Sequence, residues 1–197
     1  MIKVGITGGI GSGKSVVCSI FSQLGVSVYS SDVEAKKIYE DPVIMDQVRK
    51  IFGDQIIDKK GKVDKKQLSK LVFQNAGLLK KLNDLMHPTV KENFQKWLRQ
   101  RENERYILKE AAILFESGTN KGLDRVITVS APAELRVKRT VERDKASEEL
   151  VLKIMKNQMS EEEKVRRSDF VIVNDEDQLL IPQVLKVHKT LIAEAGG

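Results

Sequence analysis

The stretch Ile2-Lys3-Val4-Gly5-Ile6-Thr7, followed at once by Gly8-Gly9-Ile10-Gly11-Ser12-Gly13-Lys14-Ser15, decides the fold class. Its first half is a short apolar run of strand length. Its second half satisfies G-x-x-x-x-G-K followed by Ser or Thr, the P-loop pattern. Val17, Ile20, Phe21 and Leu24 then share one helical face over 15–24, and Gly25 stands where a helix C-cap is wanted. A second β-rich run follows at 26–30. Strand, glycine loop, helix and strand in that order open a parallel α/β fold, because parallel strands need a crossover between them. The loop chemistry is specific. Glycines let successive backbone N–H groups turn inward around phosphate oxygens, and the helix that begins here directs its positive end at the same anion. The eight residues from Gly8 to Ser15, with Val16 beside them, are therefore expected to cradle the phosphates of a nucleoside triphosphate. Lys14 would reach the β- and γ-phosphates, and the Ser15 hydroxyl would ligate Mg²⁺.

Outward from this opening the character changes. Residues 33–105 are Lys-rich and mostly helical by pattern, with Pro42 and Pro88 as breaks and Asp58-Lys59-Lys60-Gly61 as a turn. Strand character returns at 106–112 and 125–130. Helices are expected at 132–143, 147–158 and 160–167, the last opened by the capping box of Ser160 and Glu163. A last strand at 170–174 and a last helix at 179–193 complete the pattern. These spacings predict a three-layer α/β fold of the P-loop nucleoside triphosphate hydrolase type, with a mainly parallel five-stranded sheet. The nucleotide-binding core comprises 1–32, 106–135 and 168–197. Two helical stretches, 33–105 and 136–167, interrupt that core.

Composition narrows the function classes. The chain of 197 residues carries 41% hydrophobic residues, enough for a real core and too many for wholesale disorder. Cys18 is the only cysteine, which excludes an intramolecular disulfide framework and suits a reducing cytoplasm. No apolar run approaches a membrane span, and the N-terminus breaks into glycines too early for a signal peptide. A net charge of +6 raises the question of nucleic acid. The ten aromatics, several on predicted core faces, leave few platforms for base stacking. The surplus lies instead in 33–105 and 136–167, with 17 basic against 11 acidic and 10 against 7 side chains respectively. That placement fits focusing of small polyanions. The expected partner is a small molecule, with no specific nucleic acid, no membrane, and a monomer or weak homo-oligomer.

Further candidates each carry two readings. Asp32 lies just past the second strand, where α/β sheets place their ligands, and could accept a proton from an attacking hydroxyl. It could equally cap the helix that follows. Arg136, Arg139 and Arg143 stand on one face of one helix, either as a solvated stripe or as a clamp on transferring phosphoryl oxygens. Glu116, after an apolar segment at an expected strand end, is a partner for a metal-bound water or a substrate hydroxyl, or a plain surface carboxylate. His87, before Pro88, is a packing or capping residue or an acceptor contact.

Taken together the residues resemble the dephospho-CoA kinase family over nearly the whole chain. The resemblance is carried by the loop Thr7 to Ser15, by Asp32, and by Asp58-Lys-Lys-Gly-Lys-Val-Asp64 with Leu68 and Phe73. It continues through His87-Pro88, Ile113-Leu-Phe-Glu116, Leu135 with Arg139, Arg143 and Asp144, then Gln158, Lys164 and Asp169-Phe-Val-Ile-Val-Asn174. It implies transfer of the ATP γ-phosphate to the ribose 3′-hydroxyl of dephospho-CoA. Asp32 would be the base, Arg139 a ligand of the ATP phosphates, and Asn174 the start of the adenine-side loop, with 33–105 the helical acceptor (CoA)-binding insertion and 136–167 the lid. The sequence departs from the family pattern at Val16, Ser30, Lys65 and Ala112. Ser30 stands where the first of two aspartates is usual, so one carboxylate near Asp32 is missing. Three alternatives remain. Another P-loop small-molecule or nucleotide kinase shares the donor but not the acceptor. A GTPase switch is disfavoured because Leu123 occupies the aspartate place of an Asn120-Lys121-x-Asp motif and Asp58-x-x-Gly61 lies in a charged turn. A nucleic-acid-binding module has only the basic charge in its favour.

Overall fold

The computed structural model describes residues 1–73 and 75–196, without the side chains of Lys66, Ser69, Phe73, Ala76, Asn83 and His87. Two compact units emerge, one of 1–30 with 103–197 and one of 31–102. The first is built on strands β1 (Ile2–Thr7), β2 (Val28–Ser30), β3 (Tyr106–Glu110), β4 (Arg125–Ser130) and β5 (Phe170–Val173). They lie in the order β2-β3-β1-β4-β5, and every pairing is parallel. Ile6 faces Glu110 on one side and Ile127 on the other, so β1 is central. A parallel sheet is covered on both faces, which is why its strands read as apolar runs.

On one face, Val4, Ile6, Leu108, Ile127, Val129 and Ile172 pack against two helices. Helix α1 (Lys14–Gln23) contributes Val17, Cys18 and Phe21, and a C-terminal helix, Leu180–Gly196, contributes Val184, Val187 and Leu191. Gly5 looks the other way, onto Leu114 and Leu123. There Ala111, Leu114, Phe115 and Val126 form a second cluster with half-buried Leu123 and Met159. The helix boundaries fall close to the periodicity. The strand ends do not: β3 stops at Glu110, so Glu116 lies in the turns that follow rather than at a strand end.

Among the described residues the second unit is built on the α-helices α2 (Ser31–Ile38), α3 (Pro42–Phe52), α4 (Lys65–Phe73) and α5 (Ala76–Arg99), with a short 3₁₀ turn at Asp54–Ile56. Asp41 caps α3 by accepting from Val43 N–H at 2.8 Å, with Pro42 in the first turn. Asp58 accepts the N–H groups of Lys60 and Lys62 and closes the expected turn. The core of this unit comprises Ile38, Val48, Phe52, Ile56, Leu68, Val72, Leu82 and Met86. Pro88 does not break the chain's helix, contrary to expectation: α5 runs through it. An interior proline costs about 3 kcal/mol. Leu82 and Met86 before it and Phe94 and Leu98 after it are all buried, and their burial offsets that cost.

Candidate active site

The phosphate loop leaves the carboxyl end of β1 and enters α1 at Gly13, whose φ of 91° lies in the left-handed region. No side chain caps α1; Val16 N–H already donates to Gly13 O at 3.0 Å, and the N–H groups at the very start of the helix face the loop, where an anion can meet them. A Cβ at Gly13 would overlap the Asn174 side chain, and one at Gly11 would strike the Arg136 backbone oxygen. The glycines thus admit two later elements against the loop. Asn174 Nδ2 donates to Ser12 O at 2.8 Å, while its own N–H donates to Ser130 O at 2.7 Å. Asn174 therefore ties the loop to the ends of β4 and β5. Lys14 Nζ donates to Gly8 O at 3.0 Å and so spans the loop. Ser12 is buried, and its hydroxyl has no hydrogen-bond partner among the described residues. Ser15 and Val16 are exposed.

The arginine stripe lies on α6 (Ala133–Asp144) and divides into three environments. Arg136 is buried against Gly9 of the loop, with Nη1 3.2 Å from Glu161 Oε2. That ion pair is off the hydrogen-bond axis: neither Glu161 oxygen nor Arg136 Nε has a hydrogen-bond partner among the described residues. Arg139 donates to Asn174 O at 3.1 Å and to Glu176 Oε1 at 3.0 Å. Arg143 turns outward and pairs with Asp144. A single solvated stripe does not describe these side chains, because the loop buries the first of them.

Glu116 meets protein groups. Its Oε1 accepts from Met159 N–H at 2.8 Å and lies 3.1 Å from the ammonium of Lys164, which is fully buried in α8 (Glu161–Arg166). Burial pushes the Glu116 carboxyl up, but hydrogen bonds from backbone N–H groups and the nearby Lys164 ammonium outweigh it and hold the group below its ordinary range. Glu116→Ala would leave the Lys164 charge buried and alone, and we expect a loss of about 3 kcal/mol of stability by chemical unfolding. Protonation has the same sense. With the native pKa lowered, the stabilisation is present above the ordinary value of 4.5 and is lost as pH falls from there through the native value.

Sequence reasoning assigned no role to two residues here, Gln158 and Lys164. Gln158 Oε1 accepts from Ile10 N–H of the phosphate loop at 3.0 Å, across 148 positions of chain. No local pattern announces such a contact. Ser30, the residue that replaces an expected carboxylate, donates to Glu110 Oε2 at 2.6 Å across the carboxyl ends of β2 and β3. A carboxylate thus stands at this edge after all, supplied by the neighbouring strand. Asp32 lies in the first turn of α2, exposed, two residues beyond β2. It makes no hydrogen bond among the described residues, so no cap bond accounts for it. The side chain of His87 lies outside the described residues. Cys18, on α1, is buried and its thiol is pushed up to about 12 by burial and the Glu110 charge, so it is inert.

A central parallel strand that feeds a glycine-rich loop into an uncapped helix, with arginines of a later helix beside it, defines a P-loop phosphotransferase. A family model described as Dephospho-CoA kinase matches residues 2–179, and the chain belongs to that family. It is 44% identical to the dephospho-CoA kinase of Bacteroides fragilis over 94% of this chain and 91% of that one. Among solved structures, dephospho-CoA kinase from Campylobacter jejuni superposes with a TM-score of 0.72 at 28% identity, covering 98% of each chain. A Thermus thermophilus protein, TT1252, gives 0.86 at 32% identity over 98% of this chain and 97% of that one. ATP is the phosphoryl donor of this kinase family.

Proposed function

We infer that the chain transfers the γ-phosphoryl group of ATP to the ribose 3′-hydroxyl of dephospho-CoA, giving coenzyme A and ADP. Family membership over residues 2–179 carries this reading. The phosphate loop supports it, with Lys14 and the uncapped start of α1 at one anion site. Among the described residues no group of three His, Cys, Asp or Glu side chains could hold a metal ion. The exposed Ser15 hydroxyl at the start of α1 fits Mg²⁺, which is commonly held by substrate phosphates and only one or two protein oxygens. Ser15 would be its protein ligand. Mg²⁺, when bound, neutralises charge on the phosphates of ATP.

The chain's own residues supply positioning and charge. The N–H groups at the start of α1 and Lys14 hold the phosphate oxygens, so charge accumulating there meets donors already in place. As the acceptor oxygen bonds to the γ-phosphorus, its proton passes to Asp32 and the bond to the bridging oxygen breaks, leaving ADP. Arg139 acts on the phosphates from the 136–167 lid, which excludes water that would hydrolyse ATP. Asn174, at the end of β5, lies on the adenine side. Residues 33–105 bind the acceptor; there a cleft lined by Tyr39, Lys62 and Lys65 offers cationic side chains to its diphosphate. His87 and Glu116 remain acceptor-side candidates by resemblance, although Glu116 already serves Lys164 and Met159. The working unit is a monomer or weak homo-oligomer in the cytoplasm, without a specific nucleic-acid partner. No helix among the described residues is long and apolar enough to cross a membrane.

An ATP-coupled assay across dephospho-CoA, adenosine, pantetheine derivatives and nucleoside monophosphates tests the acceptor. Turnover with dephospho-CoA is expected to exceed all others. Activity confined to a nucleoside monophosphate would replace this acceptor with that of a nucleotide kinase.

A further inference from the structure

The phosphate loop has a contact that its own motif does not explain. Ile10 N–H belongs to the loop, yet it donates to a side chain from the turn between α7 (Glu148–Lys156) and α8, Gln158 Oε1 at 3.0 Å. An amide side chain has two faces of opposite character, one acceptor oxygen and an NH₂ with two donors. With the oxygen engaged by Ile10, the NH₂ stands beside the rim of the same loop. Among the described residues it has no acceptor. Its place is fixed from the next residue onward. Met159 N–H donates to Glu116, whose same oxygen lies 3.1 Å from the buried Lys164 ammonium. Thr128 of β4 in turn reaches Lys164 O at 3.4 Å. The turn that carries Gln158 is therefore anchored to the sheet by a half-buried carboxylate and a fully buried cation.

We propose that Gln158 is a phosphoryl-contacting residue: its Oε1 is held by Ile10 N–H so that its NH₂ donates to the γ-phosphate oxygens of ATP and to the transferring phosphoryl group. Glu116 and Lys164 are positioning residues for it. Donors preplaced where charge develops are worth about a hundredfold in rate each. Because ADP lacks the γ-phosphate, the contact raises affinity for ATP and not for ADP. The inference rests on the kinase reading above.

Gln158→Glu separates this role from simple bracing of the loop. The carboxylate still accepts from Ile10 N–H, so bracing survives, but both donors are gone. Wild-type protein and Q158E are compared by titration calorimetry with ATP and with ADP, and by turnover with dephospho-CoA. We expect Q158E to bind ADP within about threefold of wild type, to lose at least tenfold in ATP affinity, and to fall about a hundredfold in kcat. An unchanged ratio of ATP to ADP affinity in a folded Q158E would overturn the proposal and leave Gln158 as a brace. Because Q158E also sets a negative charge beside the phosphates, the neutral Gln158→Met, which removes donors and acceptor together, is read by the same affinity ratio: a loss of at least tenfold in ATP relative to ADP supports the contact, and an unchanged ratio overturns it. Failure of the wild type to turn over dephospho-CoA would count against the acceptor assignment alone, since the ATP-to-ADP ratio is read without any acceptor.

Discussion

Asp32→Asn is expected to lower kcat with dephospho-CoA about a thousandfold while leaving ATP affinity and thermal stability near wild type. The carboxylate lies in the first turn of α2, is exposed, and accepts no hydrogen bond among the described residues. A cap that contributed to the helix would accept a backbone N–H, as Asp41 does for α3. Its remaining structural value is its charge near a helix N-terminus, worth well under about 1 kcal/mol at an exposed site. Asn keeps the size and an acceptor oxygen but is a far weaker base, so on the proposed mechanism the substitution removes the proton acceptor and little else. Turnover within threefold of wild type would remove Asp32 from the chemistry. A large fall in melting temperature for Asp32→Ala would instead restore the capping role.

Lys14→Ala is expected to weaken ATP binding about a hundredfold and to cut turnover further. A charge-assisted hydrogen bond to a phosphate is worth about 1.5–3 kcal/mol, and here it is lost from ground state and transition state alike. Lys14 begins α1 and crosses the loop to Gly8 O. That bond holds the ammonium across the loop, where the proposed mechanism needs it. Calorimetry with ATP reads the binding loss, and single-turnover kinetics at saturating ATP reads the rest. If ATP affinity were unchanged, Lys14 would act as a brace for the loop and not as a ligand of the nucleotide.

The parts of the fold that were legible in the chain are those set by short-range physics. An apolar run ending in Thr7, a loop of glycines and a helical stripe from Val17 to Leu24 specify the first strand, the loop and the first helix almost residue by residue. The Asp58 turn and the Ser160 cap likewise rest on groups within a few positions of each other. Pro88 was misleading because a local rule met a tertiary one: burial of Leu82, Met86, Phe94 and Leu98 carries α5 through it. The arginines on α6 share a periodicity but not an environment, since packing against Gly9 and the ion pair with Glu161 distinguish Arg136 from the outward Arg143. Position alone left Glu116 as either a ligand or a plain surface carboxylate, and its partner Lys164 lies 48 positions away in sequence, so nothing nearby announced the pair. Ser30 appeared to remove a carboxylate that Glu110, on the adjacent strand, puts back within 2.6 Å of its hydroxyl. Contacts of this kind arise from the order of strands in the sheet, which periodicity does not encode.

Phosphorus NMR of the complete reaction, with the purified chain, ATP, Mg²⁺ and dephospho-CoA, tests the central claim most directly. One new phosphomonoester resonance is expected, coupled to the ribose 3′ proton, growing in one-to-one proportion with ADP. Consumption of ATP with free phosphate as the only product, or a phosphoryl group attached anywhere other than the 3′-oxygen, would contradict it.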